Sequence, residues 1–203
     1  MKGVFGLPTL VCFGDNITAG ECDWDGGLRL TSRIREEMED WIVINAGTEA
    51  GTTRDGVMRF QSDVMSYKPD LVTIFFGGND ASENAGIELS EYEKNLTYMI
   101  RNISPEKVIL ISPSPIDETM QNYRNNKRME MYANKVRDLA DKTGAHYIDL
   151  WSMMKERNTY HSMLKDDGYE LNNKGYKLIA HEIIRKIRIQ YKKKKSVLRF
   201  LSL

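Results

Sequence analysis

The chain has 203 residues, 41% hydrophobic and 29% charged, which is ordinary for one globular core and excludes fibrous or disordered classes. Basic and acidic residues both number 29, so the formal charge is zero and no bulk polyanion partner is implied. Cys12 sits in an apolar run and Cys22 in a loop, without metal-type spacing, so both read as reduced thiols.

In chain order, an apolar strand at Thr9 to Phe13 precedes an amphipathic helix at Gly27 to Met38. A strand at Trp41 to Asn45 leads to a helix at Thr53 to Ser66, and a strand at Leu71 to Phe76 leads to a helix at Ser90 to Ile103. In that helix Tyr92, Leu96, Met99, Ile100 and Ile103 recur at three- and four-residue intervals, which marks one packed face. Pro113 and Pro115 break the chain after a fourth strand at Val108 to Ser112. A helix at Met120 to Thr143, a strand at His146 to Leu150 and a closing helix at Asn173 to Tyr191 complete the pattern. Strands alternating with helices predict a single α/β domain over residues 1–203 with a parallel sheet.

Met1 to Pro8 lacks the apolar run and cleavage site of a secretory leader, and no segment approaches the roughly 20 apolar residues of a membrane span, so a cytoplasmic location is expected. Residues 185–203 carry Arg185, Lys186, Arg188, Lys192, Lys193, Lys194, Lys195 and Arg199 with no acid, leaving 21 basic against 29 acidic residues elsewhere. A solvated helix end with a frayed tail is expected there, with contact to an acidic surface as the weaker alternative. No interleaving of aromatic and basic residues marks nucleic-acid binding.

Four short motifs follow one another along the chain. They are Phe13-Gly14-Asp15-Asn16-Ile17-Thr18, Asn45-Ala46-Gly47-Thr48-Glu49-Ala50-Gly51-Thr52-Thr53, Phe75-Phe76-Gly77-Gly78-Asn79-Asp80 and Asp167-Gly168-Tyr169-Glu170-Leu171-Asn172. In order and spacing, over about residues 9 to 182, they resemble the first, second, third and fifth blocks of the SGNH, or GDSL, ester hydrolases. The resemblance implies a three-layer α/β sandwich with a five-stranded, mainly parallel sheet in flavodoxin-like order. It implies hydrolysis of small carboxylic or acetyl esters without a cofactor, with a small-molecule ester or related ligand as the partner.

The resemblance also implies a site and shows where this chain departs from it. In the family a serine attacks the acyl carbonyl, a histidine takes its proton, and an aspartate three residues before the histidine orients the ring. Asn16 stands at the serine position, Glu170 at the histidine position and Asp167 at the orienting position. Asn79 matches the side-chain donor of the oxyanion hole, and Ala50 matches the backbone-donor glycine with Gly51 one place later. Asn16 is not a nucleophile, and Glu170 gives Asp167 no imidazole to orient. Losing a triad serine or histidine costs on the order of 10⁶ in kcat, so serine turnover is expected to be abolished. The departures concentrate at catalytic positions, which reads as deliberate replacement in an active esterase more than as natural drift to a pseudoenzyme, which would scatter.

Three uses of the replaced positions follow. Asn16 can donate its amide hydrogens to Glu170 and plug the pocket. Glu49 and Glu170, facing each other with Asp15 and Asp167 behind, could raise one another's pKa and act as acid and base. The same oxygens could hold Ca²⁺ or Mg²⁺. His161 is a substitute base only if its loop reaches the pocket; His146 and His181 read as structural. Asp80 reads as a hydrogen-bonding anchor, Arg54 and Asp55 as ion pairing and capping, Trp24 as a pocket wall, and Trp41 and Trp151 as packing. Met129, Met131, Met153 and Met154 read as gap fillers.

Overall fold

The computed structural model describes residues 6–157 and 159–201, with side chains described as far as residue 190. Its five strands are β1 (Thr9–Gly14), β2 (Ile42–Gly47), β3 (Leu71–Phe75), β4 (Val108–Ile111) and β5 (His146–Ile148). They pair in the order β2-β1-β3-β4-β5, every neighbour parallel, which is the flavodoxin-like order expected. Leu10, Val11, Cys12 and Phe13 of β1 are all fully buried, as a central parallel strand covered on both faces requires.

Two helices, α1 (Leu30–Glu37) and α6 (Asn173–Leu201), pack together on one side of the sheet. On the other, α3 (Leu89–Ile103) lies between α2 (Thr53–Asp63) and α4 (Asn126–Thr143). The face of α3 read from its periodicity is the buried one: Tyr92, Leu96, Met99 and Ile100 are at most 1% exposed. Trp41 and Trp151 are buried as expected, and so are Met129 and Met154, whereas Met131 is an exposed methionine on α4 and fills no gap.

Element ends differ from the sequence expectation for local reasons. The fourth helix begins at Asn126 instead of Met120, because the Asn125 side chain accepts from Arg128 N–H at 2.8 Å and caps it there. The fifth strand stops at Ile148 because Asp149 caps a short helix, α5 (Leu150–Lys155), by accepting from Ser152 N–H at 3.0 Å. The helical backbone of α6 continues past Tyr191, where the sequence pattern ended it, to Leu201. The side chains of the basic tail beyond residue 190 lie outside the described residues. Among the described residues no helix is long and apolar enough to cross a membrane.

At the carboxyl end of β2, Gly47 admits the turn after β1, since a Cβ there would stand 2.2 Å from Ala19 N. Arg59 of α2 ties the same strand ends together by donating to Gly14 O and Ala46 O, each at 2.7 Å, with its guanidinium 4.4 Å over the Phe13 ring.

Candidate active site

The turns that follow β1, β2 and β3 meet where the sheet order reverses, and the loop before α6 closes over them. Asn79 is at their centre. Its Nδ2 donates to Asn16 Oδ1 and to Gly51 O, each at 3.0 Å. The Asn16 Nδ2 donates to Glu170 Oε1 at 3.3 Å. Asn16 is only 6% exposed, so its carboxamide is engaged at both ends inside the site. The four sequence blocks therefore converge, and the amide-to-carboxylate bond expected between Asn16 and Glu170 is present.

The second block is arranged differently from the simplest expectation. Ala50 takes the left-handed conformation, φ +53°, that glycine adopts without strain. The Gly51 N–H turns back to Thr48 O at 3.2 Å, so Gly51 presents its carbonyl, not its N–H, to Asn79. The Gly51 N–H is thus engaged within its own turn.

Asp167 orients a backbone instead of a side chain. Its Oδ1 accepts from the N–H groups of Tyr169 and Glu170, both at 2.9 Å, and this holds the loop that carries them. Glu170 is steered by Lys165, whose Nζ lies 2.8 Å from Glu170 Oε2 and 2.7 Å from Asp23 Oδ1. Partial burial alone would raise the Glu170 carboxyl, but hydrogen bonds from Lys165 and Asn16, with the Lys165 and Arg29 charges, hold it below the ordinary range.

That balance gives the paired-carboxylate reading no support. Glu49 is exposed on its turn, and among the described residues no hydrogen bond or ion pair joins it to Glu170. With an ammonium as its neighbour, Glu170 is held ionised instead of becoming a proton holder. The metal reading loses its donors as well, since among the described residues no three His, Cys, Asp or Glu side chains are placed to hold an ion.

Two buried carboxyls behind the site have raised pKa values. Asp15, 1% exposed, is pushed up to about 7, chiefly by loss of water, although Ile17 N–H donates to it at 3.0 Å. Burial likewise pushes Asp80 up to about 6, while Thr53 donates to it through both N–H and hydroxyl. Asp80 is thus the anchor the sequence suggested. Arg54 pairs with Glu91 at 2.8 Å, and Asp55 forms a reciprocal cap with Thr52, also as read.

Several determinants carried no sequence signal of their own. Tyr169 is 5% exposed, and its hydroxyl lies 3.4 Å from Asp15 Oδ2, Asn16 Oδ1 and Asn79 Oδ1. Gly78 makes room for it: a Cβ there would sit 2.2 Å from the tyrosine oxygen. Arg124 stacks 4.2 Å over the Tyr169 ring and donates to Asn79 Oδ1 at 2.8 Å, fixing which way that amide points. Arg29 donates to Asn16 O and, at 2.9 Å, to the Tyr176 hydroxyl. Tyr169 and Gly78 lie inside the quoted motifs without a role there, while Arg124, Arg29 and Tyr176 belong to no short motif, so only the fold brings them together.

His161 lies elsewhere: it is half exposed, stacks on Tyr160 at 4.0 Å and faces Asp117 at 3.4 Å. Trp24 is 99% exposed and edges an open cleft of about 360 Å³, whose lining includes Asp23, Gly27, Ser162, Lys165 and Asn173. Through Lys165 this cleft adjoins Glu170.

Comparisons with known proteins agree with this geometry. The family model described as GDSL-like Lipase/Acylhydrolase matches residues 12–178. The chain is 32% identical over 193 residues to the human isoamyl acetate-hydrolyzing esterase 1 homolog, covering 83% of this chain and 76% of that protein. It is 26% identical to the acetylxylan esterase of Geobacillus stearothermophilus, over 73% of each. The crystal structure of a lipase/acylhydrolase from Enterococcus faecalis superposes with a TM-score of 0.83 at 33% identity, covering 89% of this chain and 95% of that one. With these blocks on this sheet and a family match across most of its length, the chain belongs to the GDSL-like lipase/acylhydrolase family.

Proposed function

We propose that this chain is a non-hydrolytic member of its family that binds a small ester or related ligand beside a closed polar latch. The observation that carries the reading is the Asn16 carboxamide, held by Asn79 Nδ2 at 3.0 Å and donating to Glu170 at 3.3 Å. It takes up a donor of the oxyanion hole and the base position together, and it is no nucleophile. The buried Tyr169 ring adds to the plug. The cleft at Trp24 and Lys165 supplies a concave surface next to the latch where a ligand can sit.

Acid–base catalysis by carboxylates draws less support. Glu170 is held ionised by Lys165, and Asp15, the carboxyl whose pKa is near 7, is sealed from solvent. The test is an activated acetate ester assayed with the unsubstituted chain and with Asn16→Ser combined with Glu170→His. The unsubstituted chain is expected to give no acyl-enzyme burst. The double variant is expected to exceed it by at least about 10³-fold, part of what a complete serine–histidine pair supplies. A burst from the unsubstituted chain overturns the proposal. Ligand binding is read from the fluorescence of exposed Trp24, with Trp24→Phe as the control; an ester that protects the fold yet leaves Trp24 unchanged places the ligand elsewhere.

A further inference from the structure

We infer that the cleft edged by Trp24 is a saccharide site: it takes a hydroxyl-rich ring stacked on the indole, not an alkyl or fatty acyl chain. The inference rests on the reading that this cleft holds the ligand, and it names the class of that ligand. Trp24 is 99% exposed, so the described domain leaves both faces of its ring bare. The residue is nevertheless held in place. Cys22 and Leu28 form an antiparallel bridge, Asp23 N–H donates to Gly27 O at 2.8 Å, and Gly26 N–H donates to Asp23 O at 2.9 Å, which makes residues 22–28 a tight hairpin with Trp24 near its tip. Gly26 makes the reversal at φ +81°, and Gly27 N–H donates to Asp25 Oδ1 at 2.9 Å. The Asp23 carboxylate anchors the hairpin to Lys165 at 2.7 Å. A bare indole on a fixed turn is ordered before the ligand arrives, and few side-chain rotations are lost when its face is covered.

The rest of the cleft wall is polar. Among the described residues that line it, Trp24 has the one apolar side chain, and every other side chain is a charge, an amide or a hydroxyl. Asp23 and Asp25 balance Lys165 and Lys174, so the wall carries no net formal charge. Asn172 is engaged by the fold: it donates to Ser162 O at 2.9 Å and Leu164 O at 2.8 Å and accepts from Lys174 N–H at 2.9 Å. Asn173 uses only its Oδ1, which accepts from Arg33 at 2.9 Å, and Asp25 uses only its Oδ1. Among the described residues no hydrogen bond or ion pair engages the Ser162 hydroxyl or the Lys174 ammonium. The cleft therefore offers an acceptor, a hydroxyl, an amide donor and an ammonium around one flat apolar face.

These features select among ligand classes. An alkyl alcohol or a fatty acyl chain gains affinity by burying apolar surface on several sides, and a single indole face supplies one. A phosphate-bearing ligand, a nucleotide included, would bring its charge against Asp23, Asp25 and Glu170, while Lys165 is already held between Asp23 and Glu170. A cation would meet Lys165 and Lys174. A neutral sugar ring matches both parts of the wall. The C–H groups of one ring face lie flat on the indole, and the hydroxyls around the ring both donate and accept, as Asp25, Ser162, Asn173 and Lys174 require. The volume, about 360 Å³, falls within the roughly 300–1,000 Å³ of small-molecule sites. Because Lys165 bonds to Glu170 at 2.8 Å, the occupant sits beside the latch.

The experiment is a titration of the full chain followed by backbone amide NMR shifts, with cellotetraose, xylotetraose and tri-N-acetylchitotriose as saccharide probes and hexyl acetate as the alkyl probe. At least one saccharide is expected to shift the Gly27 and Lys165 amides to saturation. Trp24→Leu, apolar without a flat face, is expected to weaken that binding at least about tenfold, and Trp24→Phe, which keeps a flat face, by less than about fivefold. Both substitutions fall on an exposed side chain and leave the core intact. No saccharide binding at these amides, tighter binding of hexyl acetate there, or saccharide binding that survives Trp24→Leu overturns the inference. Its failure is separable from failure of the proposed function. Hexyl acetate bound in this cleft without any saccharide removes the sugar and leaves a non-hydrolytic ester binder, whereas an acyl-enzyme burst from a chain that binds saccharide removes the non-hydrolytic reading and leaves the sugar.

Discussion

Around Thr53 and Asp80 the site is held by a buried bond between two blocks, Thr53 N–H to Asp80 at 2.9 Å, beside a local one in which Thr52 and Asp55 cap each other. Around Asn16 and Glu170 it is held by a chain of long-range contacts that runs from Asn79 through Asn16 and Glu170 to Lys165 and Asp23. The first region has the residues that the family resemblance implies, and in the second Asn16 and Glu170 stand where the resemblance implies a serine and a histidine. The comparison teaches that the bonds aiming Asn79 stand independently of which side chains occupy positions 16 and 170. Asn16 and Glu170 satisfy each other's hydrogen bonds, so this region need not be a weak point in the fold.

Tyr169 is the residue on which that last statement is most easily broken. Tyr169→Ala removes a ring that fills the space above Gly78 and supports Arg124, and it is expected to cost about 3–5 kcal/mol in denaturant unfolding. Tyr169→Phe keeps the ring and loses a hydroxyl whose single hydrogen is shared among three acceptors at 3.4 Å, so a loss of about 1 kcal/mol or less is expected. Equal losses from both variants would put the stability of the latch in its hydrogen bonds and not in its packing.

Asp15 and Asp80 make both regions sensitive to pH, Asp15 the more strongly. The folded pKa of Asp15, near 7, lies above the ordinary carboxylate value of about 4, so the folded chain holds this proton more tightly than the unfolded one. The stability this group contributes is complete below about pH 4 and is lost as pH rises toward 7; Asp80, near 6, acts in the same direction. Asp15→Asn keeps an acceptor for Ile17 N–H and removes the titration. It is expected to match the unsubstituted chain near pH 4 and to be more stable by about 2 kcal/mol at pH 8. Unfolding curves that stay parallel across that range would mean that Asp15 is not a buried proton holder.

The strands themselves were legible in patterns within a few residues, whereas their order and the meeting of the four blocks were implied by the family resemblance. Apolar runs such as Leu10 to Phe13 announce strands, and the turns after them announce a site. Lys165, Arg124 and Arg29 were not legible, since a lone basic residue in a loop or at a helix end looks the same whether it meets solvent or an amide 45 residues away. The expected pairing of Glu49 with Glu170 failed for the same reason: proximity in the family pattern says nothing about which cation a carboxylate will find. The end of α6 was misplaced because lysine is a good helix former, and a charge run without glycine or proline gives no stop signal.

Ala50 is the smallest and cleanest point of contact between the two regions. It belongs to the second block, which otherwise keeps its local bonds, yet it carries a side chain at φ +53° where L residues other than glycine pay about 1 kcal/mol. Against that, glycine loses more chain entropy on folding, so Ala50→Gly is expected to stabilise the fold by only about 0.5 kcal/mol. The substitution touches neither Asn16 nor Glu170, and without a nucleophile it creates no esterase activity. Combined with Asn16→Ser and Glu170→His, it is expected to raise the recovered rate further, because relief of strain lets the residue 50 N–H settle toward a developing oxyanion. A stability gain without a rate gain would leave the Ala50 amide as a turn residue and assign the oxyanion to Asn79 and the residue 16 backbone alone.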